Sequence, residues 1–352
     1  MRPYEGGRAW LHALWRSKVA AGDSYNVHQF SASTQALILD HWETYYRGGM
    51  LATGPTGPDG GYDLEVREAW VEFFSMLPDG ARILDIGTGN GVVAKIAAET
   101  ALTRGRNWEI HATDLAQIDP LRNVPDGARR LAGISFHPGV ATEHLPFDAE
   151  SFEAVSGHYA LEYTDIPAAL REIHRVLKSQ GDAQFIMHNA ESVLVQSARK
   201  SLEEAAFVLG EIKMYRRLHR LVTMETPTPA AMQRATEELR AGIHALKAAL
   251  ERAQQAGAGT VLSVTLDAVQ KLLTSRKEMR GQAVGLEIDR AEGELRASVR
   301  RLNDLLLHAC TEQRMEMVEA NAAAAGFSLI ERMPQYHAGK NVIGWQLLLH
   351  RA

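Results

Sequence analysis

The stretch Leu84-Asp85-Ile86-Gly87-Thr88-Gly89-Asn90-Gly91 lies between a short apolar strand pattern, Ala81–Ile86, and a helical pattern, Val92–Leu102. Glycines at such a junction let the backbone turn tightly and approach a ligand closely. The dinucleotide fingerprint G-x-G-x-x-G would need a glycine where Val92 stands, so the spacing here is G-x-G-x-G. Asp85 precedes the first glycine by two positions. The stretch therefore predicts a strand–turn–helix unit that holds a ligand other than a dinucleotide.

Strand and helix patterns alternate on either side of this turn. Further strands are predicted at Glu109–Asp114, Ile134–Gly139, Phe152–His158 and Ala183–Asn189, and an amphipathic helix is predicted at Ile166–Leu177. Such alternation favours right-handed βαβ units, which build a parallel sheet with helices on both faces. Two final strands are predicted at Phe327–Arg332 and Val342–His350, joined by a loop at Met333–Lys340. The fold class predicted is α/β, with a seven-stranded Rossmann-like sheet.

The alternation stops after the fifth strand, where a long helical block is predicted. Its helices are separated at Thr226–Pro229, at Ala256–Gly259 and near Gly281–Gly285. Two of them carry heptad-like apolar seams, Met232–Ala253 and Ile288–Ala309. These seams predict a helical insertion that forms a coiled-coil hairpin or a small bundle.

The patterns divide the chain into four parts. Residues 1–80 are predicted as an N-terminal helical or lid region and 81–190 as the ligand-binding α/β core. Residues 191–309 form the insertion, and 310–352 supply a final helix and the last two strands of the core. The insertion could serve as a lid over a pocket, as a homodimerisation arm or as a docking site for a protein partner.

Composition narrows the class of partner. The 352 residues carry a formal net charge of -5 and 23% charged residues, which gives no general attraction to nucleic acid or to an anionic membrane. No apolar run reaches the length of a transmembrane helix, and the N-terminus lacks a signal-peptide core. The single cysteine, Cys310, permits no intrachain disulfide. We expect a cytoplasmic protein with no membrane partner, and the charge disfavours a nucleic-acid partner.

A second motif block lies at Thr142–Gly181 and reads TEHLPFDAESFEAVSGHYALEYTDIPAALREIHRVLKSQG. Its order and spacing resemble the ubiquinone/menaquinone-biosynthesis type of class I methyltransferase, which depends on S-adenosylmethionine (SAM). The glycine turn resembles motif I of the same family. The resemblance covers about 81–189 and the two final strands, but not the first 60 or so residues or the helical block.

The resemblance implies SAM as the cofactor and assigns residues to it. The turn would contact SAM through Asp85, Gly87, Thr88, Gly89 and Gly91. Asp114, followed by Leu115, would accept hydrogen bonds from the ribose hydroxyls, because a carboxylate offers two acceptor oxygens. Gly157 and His158 would lie beside the methionine part of SAM. The family's Asp-Ala pair at the adenine is replaced by Ala141-Thr142, so Thr142 or Glu143 is expected there instead.

The acceptor side is predicted from position alone. His158 and His188 follow the fourth and fifth strands, where a ligand of an open α/β sheet binds, so they are candidate general bases. Tyr159 and Tyr163, and Tyr25 and His28 in a possible lid, are candidate substrate contacts. Taken singly, each histidine is more often a satisfied polar residue of the core. No spacing of ligands indicates a metal.

Three functions fit these patterns. The first is methyl transfer to the oxygen, nitrogen or carbon of a small or medium organic acceptor. The second is methylation of a protein or RNA that docks on the helical insertion, although the Asn/Asp-Pro-Pro-aromatic signature of nucleic-acid amino methylation is absent after the fourth strand. The third is a non-catalytic SAM-binding scaffold or regulatory protein.

Overall fold

The structure is a computed structural model that describes residues 32–53, 56, 57, 60–62, 64–275 and 281–352. Tyr25 and His28, two predicted substrate contacts, lie outside the described residues. The chain divides into two compact units. One contains residues 49–189 and 307–352, and the other contains residues 40–48 and 190–306. The region predicted as 1–80 is therefore shared between the two units.

The first unit is an α/β domain whose strands all form one sheet. Its strands are β1 Arg82–Ile86, β2 Glu109–Asp114, β3 Ile134–Pro138, β4 Phe152–His158, β5 Leu177–His188, β6 Leu329–His337 and β7 Asn341–His350. The helices in chain order are α1 Ala32–Arg47, which passes into the second unit, α2 Leu64–Ser75, α3 Val92–Arg104, α4 Pro120–Asn123, α5 Gly127–Arg130, and α6 Ile166–Val176. A 3-10 turn at Leu161–Tyr163 lies between β4 and α6.

The sheet order is β3-β2-β1-β4-β5-β7-β6, which confirms the predicted seven-stranded sheet. Strands β1 to β5 run parallel, and β7 lies antiparallel between β5 and β6. The chain order reverses direction across the sheet between β1 and β4. The carboxyl ends of these two strands therefore flank the crevice in which open α/β sheets bind ligands.

Two strand boundaries differ from the sequence prediction. Strand β5 begins at Leu177 rather than at Ala183, because Leu177 pairs with Phe152 across an irregularity in the β4–β5 ladder. The loop predicted at Met333–Lys340 is wrong over most of its length, since β6 continues to His337. Pro334 lies within β6, which is an edge strand, and edge strands are where a sheet tolerates proline.

The two faces of the sheet pack against different helices, because successive side chains of a strand point to opposite faces. Leu84, Ile86 and Phe185 pack in one apolar cluster with α6 and with the helix that precedes β6, α12 at Glu312–Ala325. On the opposite face Gln184 donates a hydrogen bond to the carbonyl of Ala69 in α2, 3.3 Å away. Helices therefore cover both faces, as the alternation predicted.

The second unit is a bundle of helices with its own apolar core. It consists of α7 Val193–Ala206, a π-helical turn Phe207–Glu211, α8 Met214–Thr223, α9 Pro229–Gln255, α10 Thr260–Ser275 and α11 Gly281–His308, with the end of α1. Fully buried side chains such as Leu218, Leu246, Val269 and Ile288 belong to one cluster. No described helix of the chain is long and apolar enough to cross a membrane.

Of the two arrangements predicted for this region, the helices form the small bundle with a shared core and not the coiled-coil hairpin. Helix α9 packs mainly against α8 and α10 rather than against α11. The carboxyl-terminal half of α11 instead meets the end of α1, where Asp304 contacts His41 at 2.6 Å and the Arg301 guanidinium covers the Tyr45 ring. The heptad spacing marks the apolar faces of the long helices correctly. These faces are buried against several shorter helices and not against each other. Helix α10 ends at Ser275 and α11 begins at Gly281, so the break predicted near Gly281–Gly285 corresponds to the start of α11, although Gly285 itself lies within that helix.

The buried face of α6 gives a test of the α/β core. Leu170 is fully buried in this cluster, whereas its neighbour Arg171 is exposed. We expect Leu170→Ala to lower the free energy of unfolding by about 2–5 kcal/mol, since it removes packed methyl groups and leaves a cavity. Arg171→Ala is the matched control and should change it by less than about 0.5 kcal/mol. Urea unfolding followed by circular dichroism measures both, and equal effects would contradict this packing.

Candidate active site

The glycine turn between β1 and α3 uses backbone conformations that favour glycine. Gly87, Gly89 and Gly91 have φ of 55°, 54° and 85°. A Cβ at Gly87 would lie 2.4 Å from the Cβ of Ala160, so a larger residue there collides with the protein itself. A substitution at Gly87 would therefore disturb the packing of the turn as well as the space left for a cofactor.

Asp85 holds this turn in place. Its Oδ2 accepts a hydrogen bond from the Thr88 hydroxyl at 2.5 Å, and its Oδ1 accepts one from the Ser156 hydroxyl of β4 at 2.8 Å. Burial raises the pKa of Asp85 to about 7, although the bonds from Thr88 and Ser156 act to lower it. Because both oxygens already bind hydroxyls of the protein, the arrangement favours the turn-orienting role over direct contact with a ligand.

Asp114 joins the end of β2 to the glycine turn. Its Oδ2 accepts from the backbone N–H of Gly89 at 2.8 Å, and its Oδ1 accepts from the N–H of Ala116 at 2.8 Å. The carboxyl group is buried, and burial raises its pKa to about 6 while the two amide bonds act to lower it. Each carboxylate oxygen has a further lone pair, so Asp114 can still accept two hydroxyl donors. Leu115 follows it and is half-buried.

The two residues expected at the adenine lie in the loop after β3, and both are buried. The carboxylate of Glu143 accepts a hydrogen bond from the backbone N–H of Asp165 at 2.7 Å, next to the start of α6. Glu143 therefore holds the loop against α6 through one oxygen. A role of Thr142 or Glu143 at the adenine stays a prediction.

His158 is the last residue of β4, and its side chain packs against aromatic rings. Its ring stacks on Tyr62 with centroids 4.2 Å apart, and the indole Nε1–H of Trp70 in α2 donates to its Nδ1 at 3.0 Å. Burial lowers the pKa of His158 well below its usual value, so the imidazole is uncharged at neutral pH. Gly157, the residue before it, packs so closely that a Cβ would lie 2.9 Å from Ile86.

Tyr159 connects the two candidate histidines. It has φ of 54°, a strained conformation for a bulky residue. Its ring stacks on His188 at 3.7 Å between centroids and meets His158 edge-on at 4.2 Å. Burial lowers the pKa of His188 to about 3. The structure thus brings His158, Tyr159 and His188 together, as their positions at the ends of β4 and β5 predicted. Both histidines are uncharged at neutral pH, because burial lowers their pKa values.

Tyr163 contacts this group through ring–ring packing. Its ring centroid is 6.2 Å from that of His188 and 4.6 Å from that of His308. Among the residues that the structure describes, no group of three or more histidine, cysteine or acidic side chains could hold a metal ion.

Sequence reasoning missed Glu162, which orders the end of β5. The side chain is fully buried, and its Oε1 accepts from the backbone N–H of His188 at 2.7 Å. The backbone carbonyl of Glu162 accepts from the Arg314 guanidinium at 2.9 Å. Burial raises the pKa of Glu162 to about 7. A signal was available in the sequence, since an acid stands between Leu161 and Tyr163 in an otherwise apolar segment.

The raised pKa of Glu162 predicts a pH-dependent stability. The folded state binds a proton more tightly than the unfolded chain, so the carboxyl group makes folding less favourable as the pH rises from about 4.5 to 7. We expect Glu162→Gln, which keeps the acceptor for His188, to raise the free energy of unfolding by about 1–3 kcal/mol at pH 8 and to have little effect at pH 5. Exposed Glu316→Gln on α12 is the control. Urea unfolding at both pH values measures this, and a pH-independent difference would argue against the assignment.

Comparison with known proteins is consistent with this geometry. Residues 83–181 match the family model described as a methyltransferase domain. The chain is 34% identical over 116 residues to a malonyl-[acyl-carrier protein] O-methyltransferase of Halorhodospira halophila, covering 32% of this chain and 36% of that protein. It is 32% identical over 132 residues to the ubiquinone/menaquinone biosynthesis C-methyltransferase UbiE of Xanthomonas oryzae, covering 35% of this chain and 49% of that one.

A third relative is the demethylmenaquinone methyltransferase of Chlorobaculum parvum, 30% identical over 106 residues, with 30% of this chain and 40% of that protein covered. The matches thus span less than half the length of each of these relatives. The matched residues include the glycine turn, Asp114 and the end of β4. Residues 83–181 of the α/β unit are therefore a methyltransferase domain, and this part of the chain is similar to class I SAM-dependent methyltransferases of the ubiquinone/menaquinone-biosynthesis type.

Proposed function

We propose that the chain transfers a methyl group from SAM to a small or medium-sized organic acceptor and releases S-adenosylhomocysteine. In this reaction the S–CH3 bond breaks as a bond forms between the methyl carbon and an oxygen, nitrogen or carbon of the acceptor. The sulfonium already activates the methyl group, so the protein's main task is to align the two partners away from water.

The observation that carries this proposal is the enclosed acceptor side beyond β4 and β5. His158, Tyr159 and His188 are all buried, and the two imidazoles are uncharged at neutral pH. Aromatic and neutral polar side chains suit an organic molecule with a few polar atoms. A nucleic acid would need a basic, accessible surface instead.

The cofactor side supports the same proposal. Asp114 lies against the amide of Gly89 and would accept the ribose hydroxyls with its remaining lone pairs. Asp85, Gly87, Thr88, Gly89 and Gly91 would shape the turn under the methionine part. Carboxyl groups next to a cationic cofactor favour its binding, because SAM carries a sulfonium and an ammonium group.

The proposal also includes the division of the chain into a methyltransferase core and an insertion. Residues 81–190 and 310–352 would form the methyltransferase core, and 191–309 would be an insertion after β5. Because the insertion begins just beyond His188, it could act as a lid, a dimerisation arm or a docking site for a protein partner. Tyr25 and His28 would belong to the N-terminal region, 1–80, as candidate substrate contacts.

The experiment has two steps that separate the candidate functions. Calorimetric titration with S-adenosylhomocysteine should show binding at one site per chain. Transfer of labelled methyl groups from SAM is then screened against quinols, malonyl thioesters, other carboxylates and phenols, with a tRNA pool and a protein extract as further acceptors. We expect turnover with a small organic compound. Binding without turnover on any acceptor would favour the scaffold, and labelled RNA or protein would favour the macromolecular alternative.

Asp114 gives a sharper prediction for the cofactor. In Asp114→Asn one acceptor oxygen becomes an amide donor that faces a backbone N–H, so we expect binding of S-adenosylhomocysteine to weaken by about 1–3 kcal/mol, or roughly 5- to 150-fold in Kd. The exposed Asp119→Asn at the start of α4 is the matched control. Unchanged affinity in Asp114→Asn would remove this carboxylate from the site.

The pH dependence of the same titration tests the charge of Asp114. Its pKa of about 6 means that the carboxylate takes up a proton as the pH falls below that value. The protonated group is a poorer acceptor, so affinity should fall below pH 6 by at most about tenfold per pH unit. Asp114→Asn should lack this component of the pH profile. An identical profile in both proteins would assign the titration to another group.

A further inference from the structure

The imidazole of His158 is held on three sides by aromatic residues. Tyr62 stacks on one face with an interplanar angle of 21°, and Tyr159 meets the ring edge-on at 4.2 Å. Trp70 is fully buried in α2 and reaches the Nδ1 edge with its indole nitrogen. The ring therefore has a fixed orientation at the carboxyl end of β4.

The contact with Trp70 also fixes the position of the imidazole proton. An indole N–H can only donate, so the Nδ1 of His158 must be the acceptor and must carry no proton. An uncharged imidazole then has its single proton on Nε2. His158 consequently presents an N–H donor, and not a lone pair, at the edge that faces away from Trp70.

That donor is buried. His158 is 7% exposed, and its Nε2 has no hydrogen-bond partner among the residues that the structure describes. A buried N–H without an acceptor is unfavourable, because nothing replaces the hydrogen bond that it would make to water. An oxygen of a bound ligand would satisfy it, whereas a ligand amine or a second N–H donor would not.

We infer that Trp70 is a positioning residue that fixes His158 as an Nε2–H donor for a carbonyl, carboxylate or phenolate oxygen of a ligand bound at the ends of β4 and β5. The inference rests on the proposed function for the identity of that ligand. The oxygen could belong to the methyl acceptor or to the carboxylate of the cofactor's methionine part. In either case the same hydrogen bond recognises it.

This inference changes the role predicted for His158. A general base needs a lone pair directed at the proton that it removes, and the lone pair of this imidazole is bound to Trp70. A fixed N–H donor can instead stabilise negative charge on an oxygen next to the methylated atom. An acceptor that carries such an oxygen is then preferred over one that offers only amine nitrogen.

The tautomer is tested directly by nitrogen NMR of the full chain with ¹⁵N-labelled histidine. His158→Gln lacks the resonances of this ring and so assigns them. We expect an unprotonated Nδ1 and a protonated Nε2 at pH 7. Trp70→Phe removes the donor to Nδ1 and should shift both resonances toward a mixture of tautomers. Phe73→Leu, which alters packing on the same helix 6.2 Å from the Trp70 ring, should leave them in place.

The origin of the oxygen is tested in the same spectra. S-adenosylhomocysteine alone should shift the Nε2–H resonance if the cofactor carboxylate is the partner. A shift that appears only when an acceptor from the methylation screen is added assigns the oxygen to that acceptor. The tautomer measurement needs no turnover, so it stands even if the proposed methyl transfer fails.

Substitutions at His158 add a functional test. Glutamine places an N–H donor near the position of Nε2 and has no basic lone pair, whereas asparagine places its amide near Nδ1. We expect His158→Gln to stay within about tenfold of the natural protein in ligand affinity or kcat/KM, and His158→Asn to lose roughly tenfold more. Three results would overturn the inference: a proton on Nδ1, resonances unmoved by Trp70→Phe, or equal losses in His158→Gln and His158→Asn.

Discussion

The carboxylate of Asp114 is the interaction on which the site depends. It accepts the backbone amides of Gly89 and Ala116, and the backbone carbonyl of Asp114 accepts the amide of Val140. One residue therefore connects the end of β2 to the glycine turn after β1 and to the loop after β3. The amide of Thr88 adds a bond to the carbonyl of Thr113. Without these bonds, buried amides at the switch point of the sheet would lack acceptors, at a cost of about 1–3 kcal/mol each.

The central fold was predictable because its signals are local. Apolar runs that end in glycine or in an acid mark β1, β2 and β4, and the bounds of β2 and β4 agree with the prediction to the residue. The misread segments depend on pairing across the sheet. The first residues of β5 are mostly polar, and the β4–β5 ladder is irregular there, with Leu177 opposite Phe152 and regular pairing with β4 and β7 only from Asp182. Strand β6 contains Pro334, which only an edge position tolerates.

The relative positions of the candidate residues were predictable from the sequence, but their hydrogen-bond partners were not. Chain order alone brings Asp85, Asp114 and His158 to the carboxyl ends of adjacent strands. The partners that decide how His158 behaves come from elsewhere: Trp70 is 88 residues away, in a helix with no motif of its own. Glu162 likewise acts through the backbone of His188, 26 residues further along. Such pairings follow from how α2 and the 3-10 turn pack on the sheet, and no local pattern encodes them.

The burial of titratable groups divides the site into two electrostatic halves. Near the glycine turn, the pKa values of Asp85 and Asp114 rise only to about 7 and 6, so the second group in particular is mostly a carboxylate at neutral pH. Beyond β4 and β5, burial keeps His158 and His188 uncharged. Negative charge therefore lies where a cationic cofactor would bind, and no imidazolium lies where the sulfonium would meet its acceptor. A charged histidine there would repel the sulfonium, and its burial would itself be unfavourable. Desolvation thus excludes the one protonation state of these histidines that would oppose the proposed reaction.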